Sequence, residues 1–362
     1  MSNSSEIDND FIIVMQEEKT TLDKIEKLIN KESLSIDDIH QLIEEIQQLD
    51  FEIALKTISN NDYQFIKLLC NEAKKSIDFK LVTEIIKFIN VIAKEDNKII
   101  EILVDLESFN WIIPNCFIVE ETESSDYLET LILIFSNGDK KPLPQSELQK
   151  LDDTFLDSLL ELALNYKDYY ETKYIHLLYY TMFGYQKNII SDGYSPLICK
   201  LYSNKQAPEL GPEMIALLNR AQLEYGLLPQ CLSLINDLFC YSQDYNVPCF
   251  FYTLDIKVLI DIIIREIHNL DELDPTRWQF LEVLSTIIDH DEYENTYVES
   301  NSYSFNINKN SNASTVDIFY KISDIKNVLN QLQDERSKEK DPRSSMIATT
   351  ILKKLNKLLS RI

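Results

Sequence analysis

Apolar residues recur with helical spacing along most of the 362-residue chain. From about residue 20 onward, stripes spaced three and four residues apart alternate with short polar breaks, and strand-like alternation is rare. Paired helices repeat about every 40 residues without strict sequence repetition, which is typical of armadillo and HEAT stacks. We therefore predict an all-α, armadillo/HEAT-like helical solenoid of roughly fifteen helices. Helices of unrelated all-α domains would give a similar pattern.

Polar segments suggest how this helical region is divided. Residues 1–18 predict a mobile acidic tail, and residues 19–362 predict the armadillo-like domain. Glycine and prolines within 136–148 indicate a subdomain joint. The stretch 294–315 is rich in Asn and Ser and lacks a period, so we expect a flexible insertion there.

The stretch Phe250–Leu270 is apolar around most of a predicted helix. Such a helix is typically buried on most sides by its neighbours. Its main polar side chains, Lys257, Asp261, Arg265 and His268, are spaced to form one narrow stripe, whereas Glu266 lies off that stripe near the helix end. We expect this stripe to face water or a partner.

The beginning of the same helix carries capping residues. Thr253 is a residue type that caps helices, and Asp255 falls in the first turn, at the positive end of the helix dipole. We expect Asp255 to act as a cap, with Tyr252 packed against it.

The net charge of −25 argues against nucleic acid or an anionic membrane as the main partner. It is compatible with binding to basic protein surfaces, although acidity also serves solubility alone. The six cysteines lack C-x-x-C spacing, and most lie among apolar residues, as buried free thiols do. Since no uncharged apolar run approaches the ~20 residues of a membrane span, we expect a cytoplasmic protein, with a nuclear one as the alternative.

Motifs of catalysis and cofactor binding are missing from the sequence. It contains no glycine-rich phosphate loop, no His-Glu-x-x-His metal motif and no G-x-S-x-G nucleophile elbow. The four histidines are far apart along the chain. We therefore expect neither an enzyme nor a protein with a cofactor or metal.

The segment FFYTLDIKVLIDIIIREI resembles the central helix of the armadillo-type domain of the WISH/DIP/SPIN family. An aromatic entry, a T-x-D start and a K-x-x-x-D stripe are combined there with an apolar helix. The matching positions are Phe250, Phe251, Tyr252, Thr253, Asp255, Lys257, Val258, Leu259, Ile260, Asp261 and Ile262. A weaker match follows from Arg277 to Tyr293.

The resemblance implies a function that composition does not. Members of this family bind and activate the Arp2/3 complex without a pre-existing filament, so that it nucleates linear actin filaments that seed branched networks. Actin would be an indirect partner, and cortical actin patches at endocytic sites would be the location. WASP-type activators carry an acidic tail containing Trp, whereas this sequence ends in KKLNKLLSRI. Activation would therefore come from a folded surface.

The family's SH3 domain and proline-rich tail are not seen in this sequence, which puts recruitment through such modules in doubt. The main alternative function is a general armadillo-type adaptor that binds peptides or helices of other proteins.

We expect the partner-binding residues to be the charged ones near the motif, namely Lys257, Asp261, Arg265 and Arg277. The remaining motif residues should be mainly structural: Phe251, Tyr252, Thr253, Asp255, Leu259 and Ile260. The simpler alternative is that the stripe pairs its charges with one another, each pair contributing about 0.3–0.5 kcal/mol.

Overall fold

The computed structural model describes residues 19–29, 35–60, 62–117, 121–136, 143–165, 173–188, 193–219, 228–272, 274–296, 319–334 and 339–361. The predicted acidic tail lies outside these residues. So do the inner part of the predicted joint and nearly all of the predicted insertion. Only residues 294–296 of that insertion are described, and there the Thr296 hydroxyl is buried and donates to the carbonyl of Tyr293.

The regular elements of the described residues are helices, with no strand among them. The chain divides into two compact units, Met1–Asp152 and Asp153–Ile362. The division falls shortly after the predicted joint at 136–148.

The first unit contains nine helices in its described part. They are α1 (19–29), α2 (Ile36–Gln47), α3 (Phe51–Asn60), α4 (Gln64–Lys75), α5 (Phe79–Ala93), α6 (Asn97–Asp105), α7 (Phe109–Asn115), α8 (Glu121–Ser136) and α9 (Gln145–Leu148).

The helices of the second unit are numbered from α10 onward, and most of the stretch Phe250–Leu270 forms α15. They are α10 (Asp153–Asn165), α11 (Lys173–Asn188), α12 (Pro196–Ser203), a 3₁₀ turn (Ala207–Leu210), α13 (Gly211–Asn219), α14 (Leu228–Tyr245), α15 (Thr253–Asn269), α16 (Pro275–Asp289), α17 (Asp291–Glu294), α18 (Ile322–Gln331) and α19 (Pro342–Leu359). The helices outnumber the roughly fifteen predicted because short ones such as α9 and α17 carry too little periodicity to be recognised.

Capping residues explain where several helices begin. Ser35 accepts a hydrogen bond from the backbone of Asp38, whose carboxylate accepts one in return from the backbone of Ser35, at 3.2 and 3.0 Å. These two bonds form a capping box at the start of α2. At α16 the carboxylate of Asp274 accepts from the backbone of Thr276 at 2.8 Å, and Pro275 occupies the first helical position.

Helices of the second unit are stacked in two layers. Helices α11, α14, α16 and α19 follow one another in contact in one layer, and α13, α15 and α18 do so in the other. The layers meet where α13 packs on α14, α15 on α16 and α18 on α19. Because each helix contacts its near neighbours in sequence, the stack grows along one direction, as in an armadillo-like solenoid. The predicted fold class is confirmed.

The basic C-terminal helix α19 packs against α16. The guanidinium of Arg343 lies 3.3 Å from the ring centroid of Trp278, and Lys354 donates to the Ser285 hydroxyl at 2.7 Å and pairs with Asp289. Arg343 and Lys354 of α19 are therefore matched by aromatic and acidic side chains on its neighbour. This arrangement stabilises the last described helix of the stack.

His176 of α11 is buried in the second unit, and neither of its ring nitrogens has a hydrogen-bond partner within the described part of the chain. Desolvation lowers the pKa of this imidazole from its ordinary value of 6.5 to about 4. The folded protein therefore holds His176 neutral at pH values where the unfolded chain protonates it.

We expect acid to destabilise the fold through His176. As the pH falls from 6.5 to 4, the unfolded chain takes up a proton that the folded chain does not, so stability is lost over this range. The loss should reach roughly 3 kcal/mol near pH 4. Urea denaturation of His176→Leu between pH 7 and pH 4 should show a shallower pH dependence than the parent. The exposed His268→Leu serves as the control, and equal slopes for all three proteins would contradict the expectation.

Candidate functional site

The aromatic entry of α15 is anchored in the core. Phe250 and Phe251 are both buried, and the Phe251 ring stacks on Phe239 of α14 with centroids 5.1 Å apart. A Cβ atom at Gly211 would lie 3.3 Å from the Phe251 ring, closer than most side-chain contacts. Gly211 thus allows the first turn of α13 to approach this ring, and the prediction of a structural role for Phe251 fits its position.

The cap of α15 differs from the prediction by one residue. Tyr252 is the N-cap, and its backbone N–H donates to Oδ2 of Asp255 at 3.1 Å. Thr253 is the first helical residue, and its hydroxyl donates to Glu292 instead. Asp255 caps the helix as expected, although burial raises the pKa of its carboxyl group. Tyr252 takes part in the cap through its backbone N–H. Its ring is not packed against Asp255 as expected, since the residue is 58% exposed.

One side of α15 is buried along its whole length. Leu259 and Ile260 are fully buried, which fits the structural role expected of them. The residues of this buried side are Ile256, Leu259, Ile260, Ile262, Ile263 and Ile267. They pack on α13, α16 and α18, so α15 is fixed in its rotation about its own axis.

The opposite side of α15 is an arc about 100° wide, because successive residues turn by about 100° around a helix. It comprises Leu254, Lys257, Val258, Asp261, Arg265 and His268, and we call it the exposed face of α15. Leu254 is 73% and Val258 49% exposed. Val258 is an apolar residue of a helix that the sequence predicts to be buried on most sides, yet it lies among the charged residues. The predicted polar stripe is therefore an amphipathic face.

Asp261 lies at the centre of this face and binds residues just before α18. The Tyr320 hydroxyl donates to its Oδ2 at 3.0 Å, and Nζ of Lys321 lies 2.8 Å from its Oδ1. This carboxylate raises the pKa of Lys321. Nζ of Lys257 lies 5.5 Å from the centroid of the Tyr320 ring, in cation–π range.

Arg265 forms its ion pair and its hydrogen bond with residues that lie beside the exposed face and are not part of it. Its Nη2 lies 2.6 Å from Oε1 of Glu266, and its Nη1 donates to Oδ1 of Asn219 at 2.7 Å. Within the ranges described, no ion pair joins Asp261 to Lys257 or to Arg265. The alternative of a self-paired ladder along the stripe is therefore not what the structure shows.

Arg277 is buried, in contrast to the exposed contact residue expected from the sequence. Its Nε and Nη2 donate to the carbonyl of Ile267 at 3.3 and 3.1 Å, and its Nη1 lies 3.9 Å from Asp341. It thereby ties the last turn of α15 to α16 and to the start of α19. We therefore correct its assignment from partner binding to structural support.

Ser242 and His290 form a buried pair in which Oγ and Nε2 are 2.7 Å apart. Nδ1 of His290 accepts from the backbone N–H of Glu292, so the proton of the neutral ring belongs on Nε2 and points to Ser242. The Ser242 hydroxyl donates to the carbonyl of Phe239. This polarity is opposite to that of a serine activated by a general base.

No cluster of three or more His, Cys, Asp or Glu side chains suited to a metal occurs among the residues described. None of the described helices is both long and apolar enough to span a bilayer. All six cysteines are free thiols, and Cys70, Cys116 and Cys231 are buried as the sequence suggested.

Residues 152–303 match the family model described as the SPIN90/Ldb17 leucine-rich domain. This part of the chain is therefore similar to the SPIN90/Ldb17 leucine-rich domain. This confirms the predicted resemblance to the WISH/DIP/SPIN family, which is linked to actin regulation. The domain begins where the second unit begins and includes the whole of α15. A search of curated proteins finds no significant match.

Two solved structures also resemble the chain. A designed armadillo repeat protein is 14% identical, with 79% of this chain and 99% of that one covered and a TM-score of 0.40. A crystal structure described as an engineered protein is 12% identical, with coverages of 81% and 97% and a TM-score of 0.39.

The division of α15 into a buried side and an exposed face can be tested by truncating one residue on each. Ile263→Ala should lower the free energy of unfolding by about 2–5 kcal/mol, because it opens a cavity in a fully buried position. Val258→Ala should change it by less than about 0.5 kcal/mol. Chemical denaturation measures both. Similar losses for the two variants would show that Val258 is buried and that the face is misplaced.

Proposed function

We propose that this protein activates the Arp2/3 complex independently of WASP-type activators. The activated complex would nucleate linear actin filaments that seed branched networks at cortical patches during endocytosis. The exposed face of α15 would bind the complex. The observation that carries the proposal is that two exposed apolar side chains, Leu254 and Val258, lie among charged ones within a domain of an actin-linked family.

The apolar part of the face supplies a reason for a partner to bind there. Leu254 and Val258 are about half exposed or more and lie one turn apart on this face, and the exposed N-cap residue Tyr252 precedes them. Burying such side chains against a partner contributes about 25 cal/mol for each Å² of apolar surface removed from water. Exposed apolar residues rimmed by charges are typical of protein interaction sites.

The charged part of the face supplies orientation. Lys257, Arg265 and Lys321 place three cations at this surface, and two of them pair with carboxylates, Arg265 with Glu266 and Lys321 with Asp261. Charges held in fixed positions favour a partner surface of complementary charge and disfavour wrong orientations. Asp261 acts mainly by positioning Tyr320 and Lys321. These two residues join the face across 59 and 60 positions of sequence, so periodicity gave no signal for them.

Activation would follow from differential binding. A protein shifts another's conformational equilibrium only by the difference in its affinity for the two conformations. We propose that the exposed face binds the active arrangement of the Arp2/3 complex more tightly than the inactive one. The fixed rotation of α15 supports this, because a rigid face distinguishes two arrangements better than a mobile one.

Nucleation can be measured by pyrene-actin assembly with purified Arp2/3 complex, without WASP-type activator or seed filaments. The protein should shorten the lag. An unchanged lag at micromolar protein would refute activation and favour the alternative of a general adaptor.

Variants of the exposed face test its role in the same assay. Lys257→Glu combined with Arg265→Glu should abolish activation, as should Leu254→Ser combined with Val258→Ser, without unfolding in circular dichroism. Met346→Ser removes an apolar side chain that is 66% exposed on α19, and it should leave activation intact. Normal activity of both double variants would exclude this face as the binding site.

A further inference from the structure

The charged residues on the outward side of α19 are all cations. Met346, Thr350, Lys353 and Lys357 are exposed there and recur at spacings of four, three and four residues, so they lie within an arc of about 60° around the helix. No acidic residue occurs from Arg343 onward in this sequence, although the net charge is −25. We call these four residues the outer face of α19. The functional assignment above makes no use of it.

Contacts on the other sides of α19 fix the direction of this face. Ile351 and Leu355 are fully buried on the opposite side. On one flank the Thr349 hydroxyl donates to Oε1 of Gln333 at 3.0 Å, and on the other flank Lys354 donates to a hydroxyl of α16 at 2.7 Å. The helix is therefore held on three sides, and the outer face is the side that remains exposed to solvent.

The two cations of the outer face differ from the other cations of α19 in their surroundings. Arg343, Lys354 and Arg361 each pair with a carboxylate of α16 or α17. Within the described ranges, neither Lys353 nor Lys357 has an ion pair or a side-chain hydrogen bond. Their Cβ atoms are about 5–6 Å apart, as for any residues four positions apart on a helix. Both ammonium groups are thus free to bind acceptors of another molecule.

Helix stability and solubility account for only part of this arrangement. Lys357 lies in the last turn, where a cation offsets the negative end of the helix dipole, but Lys353 lies further back than that effect reaches. On a chain of net charge −25, a face that served solubility alone would gain from further carboxylates, because like charges keep copies apart. Met346, which is 66% exposed, adds an apolar side chain whose burial would be favourable.

The sign of the charge favours an acidic partner, and the width of the outer face favours a narrow one. Helices α16 and α17 border the face, and the one cation in their sequences, Arg277, is buried. They instead expose Glu282, Asp289 and Glu294. A broad anionic surface such as a bilayer would bring its own charges against these carboxylates, whereas a single helix lying along α19 would not.

The spacing along the outer face fits a partner helix. Met346 and Lys357 are eleven positions apart, which corresponds to about 16 Å along a helix axis. Two helices that cross at about 20° stay in contact over such a length. An antiparallel partner would place two carboxylates, four residues apart, opposite Lys357 and Lys353. An apolar side chain seven residues further on would then lie over Met346.

We propose that the outer face of α19 binds an acidic amphipathic helix of another protein. Lys353 and Lys357 pair with carboxylates of that helix, and Met346 packs on its apolar side chain. This site gives the protein a second partner, independent of the one proposed for the exposed face of α15. Because the contact is small, we expect a weak and transient interaction.

Fluorescence anisotropy with labelled synthetic peptides tests this proposal on the full chain. The probe is an alanine-rich helical peptide with two Glu residues four positions apart and a Leu seven positions after the second Glu. The comparison peptides carry Gln in place of both Glu residues, or a central Pro that breaks the helix. We expect each of them to bind at least about fivefold more weakly than the probe. Absence of probe binding up to about 1 mM, or equal binding of either comparison peptide, would overturn the proposal.

Charge reversal locates the binding on α19. Lys353→Glu combined with Lys357→Glu should weaken the probe at least about tenfold and should strengthen a peptide with Lys in place of both Glu residues. Lys74→Glu combined with Lys80→Glu is the matched control, because it changes the net charge equally at two exposed lysines of the first unit. The control should leave the affinity for the probe unchanged. Equal losses in the two double variants would show a nonspecific effect of charge and would overturn the proposal.

Two further measurements separate the outer face from other binding surfaces. Cosedimentation with vesicles of phosphatidylcholine and phosphatidylserine should show no binding that depends on Lys353 and Lys357. Vesicle binding that is lost in their double variant would make the face a membrane site instead. In the pyrene-actin assay, Lys353→Glu with Lys357→Glu should retain nucleation while losing the probe, and Lys257→Glu with Arg265→Glu should do the reverse. Loss of nucleation in the α19 variant would contradict the independence of the two sites.

Discussion

The burial of α15 on one side is the constraint on which the rest of the second unit depends. Its isoleucines pack on α13, α16 and α18, its aromatic entry is clamped between Phe239 and Gly211, and Arg277 holds its last turn. A helix held at both ends and along one side cannot rotate. The core packing therefore determines the direction in which the residues of the exposed face point, and this face is as rigid as the helix stack that holds it.

The charges of that face are held in turn by its surroundings. Tyr320 and Lys321 fix Asp261, while Glu266 and Asn219 fix Arg265. Side chains ordered before binding lose less conformational entropy when a partner arrives. The same contacts that stabilise the fold locally would thus preorganise this face for the proposed recognition, with two apolar side chains left uncovered between the charges.

Periodicity predicted the buried side of α15 well, because Ile256, Leu259, Ile260, Ile263 and Ile267 recur at spacings of three and four residues and have no polar side-chain atoms to satisfy. Periodicity could not distinguish the exposed Val258 from these buried residues, since residue type alone does not show whether an apolar side chain is exposed or buried. Arg277 was placed outside because its main acceptor is the backbone carbonyl of Ile267, which no side-chain pattern reveals. The sequence suggested Thr253 as the cap of α15, whereas in the structure the backbone N–H of Tyr252 donates to the carboxylate of Asp255.

Contact between the exposed face and the Arp2/3 complex is the central claim, and site-specific photocrosslinking tests it most directly. A benzoyl-phenylalanine introduced at Val258 should crosslink to a subunit of the complex under ultraviolet light, whereas the same group at the exposed Met346 should not. A protein that still shortens the nucleation lag but gives no crosslink from Val258, or an equal one from Met346, would contradict the account.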